Sequence, residues 1–311
     1  MNIAFRIDIS NEIGTGHLMR MSALAYAFEK LGNECFFFKS EDEPIDFSKF
    51  EIVILDTYQV TDEYIEALNA PCRTTVCYDD NALYTYSCDV LLNANLHAKE
   101  LRFKFGRKIP QLLLGGEFAL LRSEFQDSYP FKVRKTANSV FVCFGGSDLR
   151  NMTPGVVNVL KGISGIQLHV VLGAYAENGD VVNTLANQNV FVYRNPKSIS
   201  AIMRDCDVAV TSAGSMVYEL AAVGIPAITI VQADNQLLIA DYLSRNNLMS
   251  CAGKWESVNY KDLANDVSSL LSDYDRRINE SKRLLTSVNK NGAVRAAESI
   301  VEIAKKTFFL V

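Results

Sequence analysis

The chain of 311 residues has no run of basic residues, no apolar stretch near the ~18 residues of a membrane span, no C-x-x-C pair and no repeat of fixed period. The first absence, with a net charge of −5, removes the electrostatic footprint that binding to a nucleic-acid backbone requires. A phosphate ligand would have to be held locally. The second leaves no expected membrane insertion. The seven cysteines are scattered and odd in number, and none has a histidine nearby, so they read as buried thiols in a reducing compartment, with no structural zinc. Asn2 to Ile7 reads as a first strand and not as a charged start before an apolar signal core, so the expected location is cytoplasmic.

What is present is a globular composition, 49% hydrophobic and 22% charged, in a chain too long for one comfortable core. Two α/β domains with a cleft between them are expected. In the first half, apolar runs at Ile3–Ile7, Glu34–Phe38, Ile52–Leu55 and Arg73–Cys77 alternate with helical patterns at His17–Leu31 and Asp62–Leu68, the alternation that builds a parallel sheet. A polar, basic segment from Ser128 to Asn138 interrupts the pattern, which places domains at 1–135 and 136–311. The pattern then restarts with strands at Ser139–Phe144, Gln167–Leu172, Val190–Tyr193, Asp207–Thr211 and Ala227–Val231. Helical segments at Asn151–Lys161, Ser198–Arg204, Ser215–Val223 and Asn235–Asn246 separate them, and the chain is helical after Trp255.

The turn after the first strand, Asp8 to Arg20, is rich in glycine and opens the first helix. Gly14 and Gly16 permit backbone to approach a ligand, and the free N–H groups of a helix start favour anions, so Asp8, Gly14, Thr15, Gly16 and Arg20 are candidate substrate-binding residues. His17 sits at that helix start. The positive end of the helix dipole disfavours imidazolium, and a neutral imidazole facing a cleft suits a general base, whereas an ordinary βα turn would make it a plain helix-start residue. His169 reads as structural within its strand, and His97 reads as solvent-exposed in a polar connection. Asp79 and Asp80 face opposite sides and read as a strand end.

In the second half, Gly145-Gly146-Ser147 and Ala213-Gly214-Ser215 each follow a strand and precede a helix, offering small residues and unpaired N–H groups at the carboxyl end of a parallel sheet. With Ala233-Asp234-Asn235-Gln236 they point to a nucleotide crevice. Glu219, one turn into its helix, could accept from a ribose hydroxyl or stand as a solvated first-turn acid.

These motifs, FRIDISNEIGTGHLMR, LDTY (55–58), YDD (78–80), CDVLLNAN (88–95), LLGGEFALLRSEF (113–125), FGGSD (144–148), SAGSMVYELAAVGIP and ADNQ, resemble the UDP-2,4-diacetamido-2,4,6-trideoxy-β-L-altropyranose hydrolase family of pseudaminic acid biosynthesis. The resemblance implies the GT-B fold, two Rossmann-like domains similar to the N-acetylglucosaminyl transferase of peptidoglycan synthesis, and allows the last helices to cross back to the first domain. It implies that His17 activates water, that Tyr58 and Asn235 line the sugar site with Gln236 beside them, and that Gly145, Gly146, Ser147, Ala213, Gly214, Ser215, Met216 and Glu219 hold UDP. Met216 stands where many members carry a small hydroxyl residue, which leaves a backbone N–H to serve. Between Phe38 and Ile52 a short polar connection replaces a longer helical stretch.

Hydrolysis at the anomeric carbon needs a base for water but no acid for UDP, a stable leaving anion. Neither a metal nor a cofactor is expected, because backbone N–H groups and helix dipoles can neutralise the diphosphate. The expected partner is the UDP-sugar substrate alone, with no nucleic acid and no protein partner implied. The alternatives are a GT-B glycosyltransferase using a UDP-sugar donor and a noncatalytic nucleotide-sugar-binding protein.

Overall fold

Apolar runs rich in β-branched and aromatic residues, such as Ile52–Asp56 and Ser139–Cys143, become central strands buried on both faces, while the edge strand Glu34–Lys39 stays largely exposed. A computed structural model describes the chain apart from residues 9–15, 40, 41, 43, 58–60, 70–72, 83, 127–130 and 310–311. Contacts divide it into two units, Met1–Gln126 with Asn289–Val311, and Asp127–Val288.

The first unit carries β1 (Asn2–Ile7), β2 (Glu34–Lys39), β3 (Ile52–Asp56), β4 (Thr74–Tyr78), β5 (Thr85–Tyr86), β6 (Val90–Asn93), β7 (Lys104–Phe105) and β8 (Gln111–Leu114). Its main sheet is parallel with order β2-β1-β3-β4-β6-β8, while β5 and β7 pair separately. Helices α1 (Gly16–Lys30), α2 (Asp62–Leu68) and α3 (Ser123–Gln126) follow from the same half of the chain. Met21, Leu24 and Phe28 of α1 enter the core with Ile3, Phe5, Ile7 and Ile54.

The second unit carries β9 (Ser139–Cys143), β10 (Gln167–Leu172), β11 (Val190–Arg194), β12 (Val208–Ser212), β13 (Ala227–Val231) and β14 (Ser250–Lys254) in the order β11-β10-β9-β12-β13-β14. Its helices are α4 (Met152–Leu160), α5 (Gly179–Thr184), α6 (Ile199–Arg204), α7 (Met216–Val223), α8 (Leu237–Arg245), α9 (Tyr260–Ser272) and α10 (Tyr274–Ser287). Val140, Val142, Leu168, Val170 and Val210 meet Val156, Leu160, Val267 and Leu270 in its core.

The last helix, α11 (Gly292–Phe309), belongs to the first unit. Its small stripe of Ala293, Ala296, Ala297 and Ala304 packs with the core residues of α1. A side chain at Gly292 would meet the Ala119 backbone at 2.4 Å, so glycine is what lets the helix start there.

Both strand orders reverse direction next to their first strand. In the first unit the reversal lies between β1 and β3, and in the second between β9 and β12. Loops leaving the carboxyl ends of those two strands diverge to opposite faces, which opens a crevice there in a doubly wound sheet.

Candidate active site

At the first reversal, the carboxyl ends of β1, β3, β4 and β6 deliver Asp8, Asp56, Asp80 and Asn95, and the first turn of α1 delivers His17 and Arg20. His17 and Asp56 are 4% and 1% exposed. His17 Nδ1 lies 2.9 Å from Asp56 Oδ1. Arg20 grips the same carboxylate in a fork, Nε to Oδ2 at 2.7 Å and Nη2 to Oδ1 at 2.5 Å, and donates from Nη1 to Asp80 Oδ2 at 2.7 Å. Asn95 Nδ2 donates to Asp80 Oδ1 at 2.8 Å, and the Tyr78 ring lies 4.1 Å from the guanidinium carbon. Thr57 Oγ1 donates to Asp8 Oδ2 at 2.8 Å.

Burial alone would push the Asp56 carboxyl up, but the charge and hydrogen bonds of Arg20, with the His17 contact, outweigh it and hold Asp56 below the ordinary carboxylate range. Burial likewise opposes the Arg20 charge, and Asp56 and Asp80 reverse that, so the guanidinium is held more firmly protonated than usual. The sequence expectation for His17 rested on the helix end alone. The structure adds a buried carboxylate at its Nδ1, which the helix argument did not contain.

Asp79 and Asp80 do take different partners, but Asp80 is more than a strand end. Asp79 Oδ2 accepts the backbone N–H groups of Asn81 and Ala82, and burial raises its pKa, while Asp80 joins the Arg20 network. His97 is a correction: it is 5% exposed, not solvated, and stands at the start of the short turn Ala98–Glu100. His169 stacks on Phe191 and Tyr193 with Nδ1 3.1 Å from the tyrosine hydroxyl, and burial lowers its pKa. Gly14, Thr15 and Tyr58 lie outside the described residues.

At the second reversal, the loops after β9 and β12 are neighbours. A side chain at Gly173, just past β10, would lie 2.3 Å from Gly146 O, so the glycine pair is seated directly on that strand end, and Tyr175 N donates to Gly146 O at 3.0 Å. Gly145 has φ +82°, which favours glycine. The start of α4 differs from the expectation of unpaired N–H groups. Asp148 accepts from Met152 N and Thr153 N at 2.9 Å each, and from Asn178 Nδ2 at 2.5 Å, so the chain's own carboxylate fills that helix start. Asp148→Ala is expected to lower the free energy of unfolding by about 1–2 kcal/mol, the value of a lost helix cap, measured by urea denaturation.

The start of α7 is different in kind. Ser215 makes no side-chain cap bond there, and Gly214 has only Gln236 Nε2 and Ser212 Oγ near, each 3.6 Å from where a Cβ would stand. Met216 turns its side chain inward at 8% exposure, so its contribution to a ligand is limited to backbone. Glu219 is half-buried on the first turn of α7. Gln236 Oε1 accepts from Gln232 N at 2.9 Å, which ties the loop after β13 together, and Asn235 beside it is exposed. Asp8, Gly16, His17 and Arg20 thus stand together in the first unit, while Gly145–Ser147, Ala213–Met216, Glu219, Asn235 and Gln236 stand in the second. Asp56, Asp80 and Asn95 were missed as site residues, although each lies in a quoted motif. Among the described residues, no group of three or more His, Cys, Asp or Glu is placed to hold a metal ion, and no helix is long and apolar enough to cross a membrane.

The family described as "Glycosyltransferase family 28 C-terminal domain" matches residues 139–300, over half of the chain. The chain is 25% identical over 284 residues to the uncharacterized protein MJ1062 of Methanocaldococcus jannaschii, covering 79% of this chain and 59% of that one. It is 23% identical over 270 residues to the UDP-2,4-diacetamido-2,4,6-trideoxy-beta-L-altropyranose hydrolase of Campylobacter jejuni, covering 79% of this chain and 97% of that enzyme. The relative named by the sequence resemblance is therefore found. MurG of Acinetobacter baumannii superposes with a TM-score of 0.65 at 13% identity, over 97% of this chain and all of that one. With two parallel-sheet units of this topology, the fold is GT-B.

Proposed function

This chain belongs to the glycosyltransferase family 28 C-terminal domain family, and we propose that it hydrolyses a UDP-linked 2,4-diacetamido-2,4,6-trideoxyhexose to free sugar and UDP in pseudaminic acid biosynthesis. The observation that carries the reading is the buried imidazole of His17 at the carboxyl end of the first sheet, paired with Asp56. The name of the Campylobacter jejuni relative supplies the substrate class. Water attacks the anomeric carbon and gives its proton to His17. The bond from that carbon to the diphosphate oxygen breaks, and its electron pair leaves with UDP, which needs no general acid. Attack from the face opposite UDP inverts the anomeric centre.

In this reading UDP is held by Gly145, Gly146 and Ser147 and by the start of α7, where Ala213, Gly214, Ser215 and Met216 offer backbone and Glu219 accepts from the ribose. Tyr58, Asn235, Gln236, Asp8, Gly14, Thr15 and Gly16 are assigned to the sugar. Arg20 is committed to two carboxylates, so its role is to order the surroundings of the base and not to touch the sugar. The six described cysteines are free thiols, and the location in this reading is cytoplasmic.

The second reading is a glycosyltransferase, favoured by the match of residues 139–300 to the glycosyltransferase family 28 C-terminal domain. Incubation with UDP-sugars of this class, without acceptor and with excess EDTA, separates the readings. The hydrolase is expected to release UDP and free sugar in equal amounts at an unchanged rate. Turnover that requires an acceptor would favour the transferase, binding without turnover a sensor, and rescue by Mg²⁺ or Mn²⁺ would overturn the assignment of phosphate neutralisation to backbone.

A further inference from the structure

We propose that Asp56 is the positioning residue of His17, holding the imidazole in the tautomer with hydrogen on Nδ1 and the lone pair on Nε2. The role rests on the reading of His17 as the base. The tautomer itself follows from local geometry.

His17 Nδ1 has two oxygen neighbours from one residue, Asp56 Oδ1 at 2.9 Å and the Asp56 carbonyl oxygen at 3.2 Å. Both can only accept. A bare lone pair on Nδ1 would face oxygen lone pairs at contact distance, inside a site where neither His17 nor Asp56 exposes more than 4% of itself to water. One donor is also near, Arg20 Nη2 at 3.2 Å. That nitrogen lies closer to Asp56 Oδ1, at 2.5 Å, as one arm of the fork that closes on the carboxylate. Its second hydrogen is the one donor that faces Nδ1, and two acceptors, the nearer carrying formal charge, outweigh that single hydrogen.

The same contacts explain why Asp56 can do this. A buried carboxylate is costly unless paired, and its pairing is redundant: Arg20 holds both oxygens, Asp80 holds the far side of Arg20 at 2.7 Å, and Asn95 holds Asp80 at 2.8 Å. The ends of three strands and the first turn of α1 therefore fix one carboxylate. When Nε2 takes the proton of the attacking water, the imidazolium formed already has its Nδ1–H on an ionised acceptor, and nothing must reorganise. A flipped tautomer would present N–H to the water and accept no proton.

The full chain, labelled with ¹⁵N-histidine and free of substrate, tests this by long-range ¹H–¹⁵N correlation, with the His17 signals identified by their loss in His17→Asn. Wild type with its imidazole neutral is expected to show hydrogen on Nδ1 and none on Nε2. Asp56→Asn sets an amide N–H₂ against an Arg20 donor in either orientation, so it is expected to disturb that tautomer and lower kcat on the order of 10²–10⁴-fold with UDP affinity unchanged. Protonated Nε2 in wild type overturns the proposal, as does Asp56→Asn that keeps both tautomer and kcat. Should Asp56→Asn not fold, the wild-type spectrum decides. Failure of wild type to hydrolyse any UDP-sugar overturns the functional reading, while the spectrum still decides the tautomer.

Discussion

His17→Ala is expected to lower kcat for UDP-sugar hydrolysis by about 10²–10⁴-fold, the usual worth of a positioned general base, with UDP affinity nearly unchanged. The asymmetry follows from where the groups stand. His17 lies on α1 of the first unit, whereas the loops assigned to UDP leave β9 and β12 of the second. The variant should also fold, because removing the imidazole leaves Asp56 gripped by both arms of the Arg20 fork. Unchanged thermal denaturation beside collapsed turnover would separate chemistry from folding. His17→Asn should fare no better than alanine, since an amide can orient water but cannot take its proton. Near-wild-type turnover in either variant would remove His17 from the mechanism and leave the fold assignment untouched.

The two-sheet fold was legible because its central strands are uninterrupted apolar runs. Ile52–Leu55 and Ser139–Phe144 carry enough β-branched and aromatic residues to be placed without a partner. The edges were not. Val90–Asn93 lies inside the CDVLLNAN motif and Gln111–Leu114 overlaps the start of LLGGEFALLRSEF only at Leu113 and Leu114, and neither reads as a strand because four residues show little periodicity. Ser250–Lys254 contains glycine and lysine and becomes a strand only because β13 offers it a ladder. The site divides in the same way. His17 could be read from a local feature, a glycine-rich turn at a helix start. Asp56 could not, because its meaning depends on β3 pairing beside β1, which brings residues 39 positions apart to 2.9 Å. Asp80 needs a partner 60 residues away. The alternation rule that separated Asp79 from Asp80 was sound but said nothing of Arg20. At α4 the sequence showed small residues before a helix and so suggested open N–H groups; that Asp148 folds back onto them depends on its φ of +46°, a local turn that composition does not encode.

Gly173→Ala is expected to destabilise the second unit by about 1–3 kcal/mol, as overpacking does, and to weaken UDP binding by an order of magnitude or more. The added methyl would stand 2.3 Å from Gly146 O and 2.4 Å from Gly146 Cα, and these are backbone atoms, so no rotamer change relieves the contact. The loop Gly145–Ser147 must lift away from the end of β10, and the bond from Tyr175 N to Gly146 O stretches with it. That loop leaves β9 at the strand reversal, where its displacement moves the N–H groups assigned to the diphosphate. Gly214→Ala is the control in the loop after β12: its methyl finds only side-chain atoms at 3.6 Å, ordinary contact distance, so folding should be little changed. Urea denaturation and UDP titration of both variants distinguish the roles. If Gly173→Ala loses stability while its UDP affinity stays at the wild-type value, the glycine pair after β9 is a packing device and the nucleotide is held by the start of α7 without it.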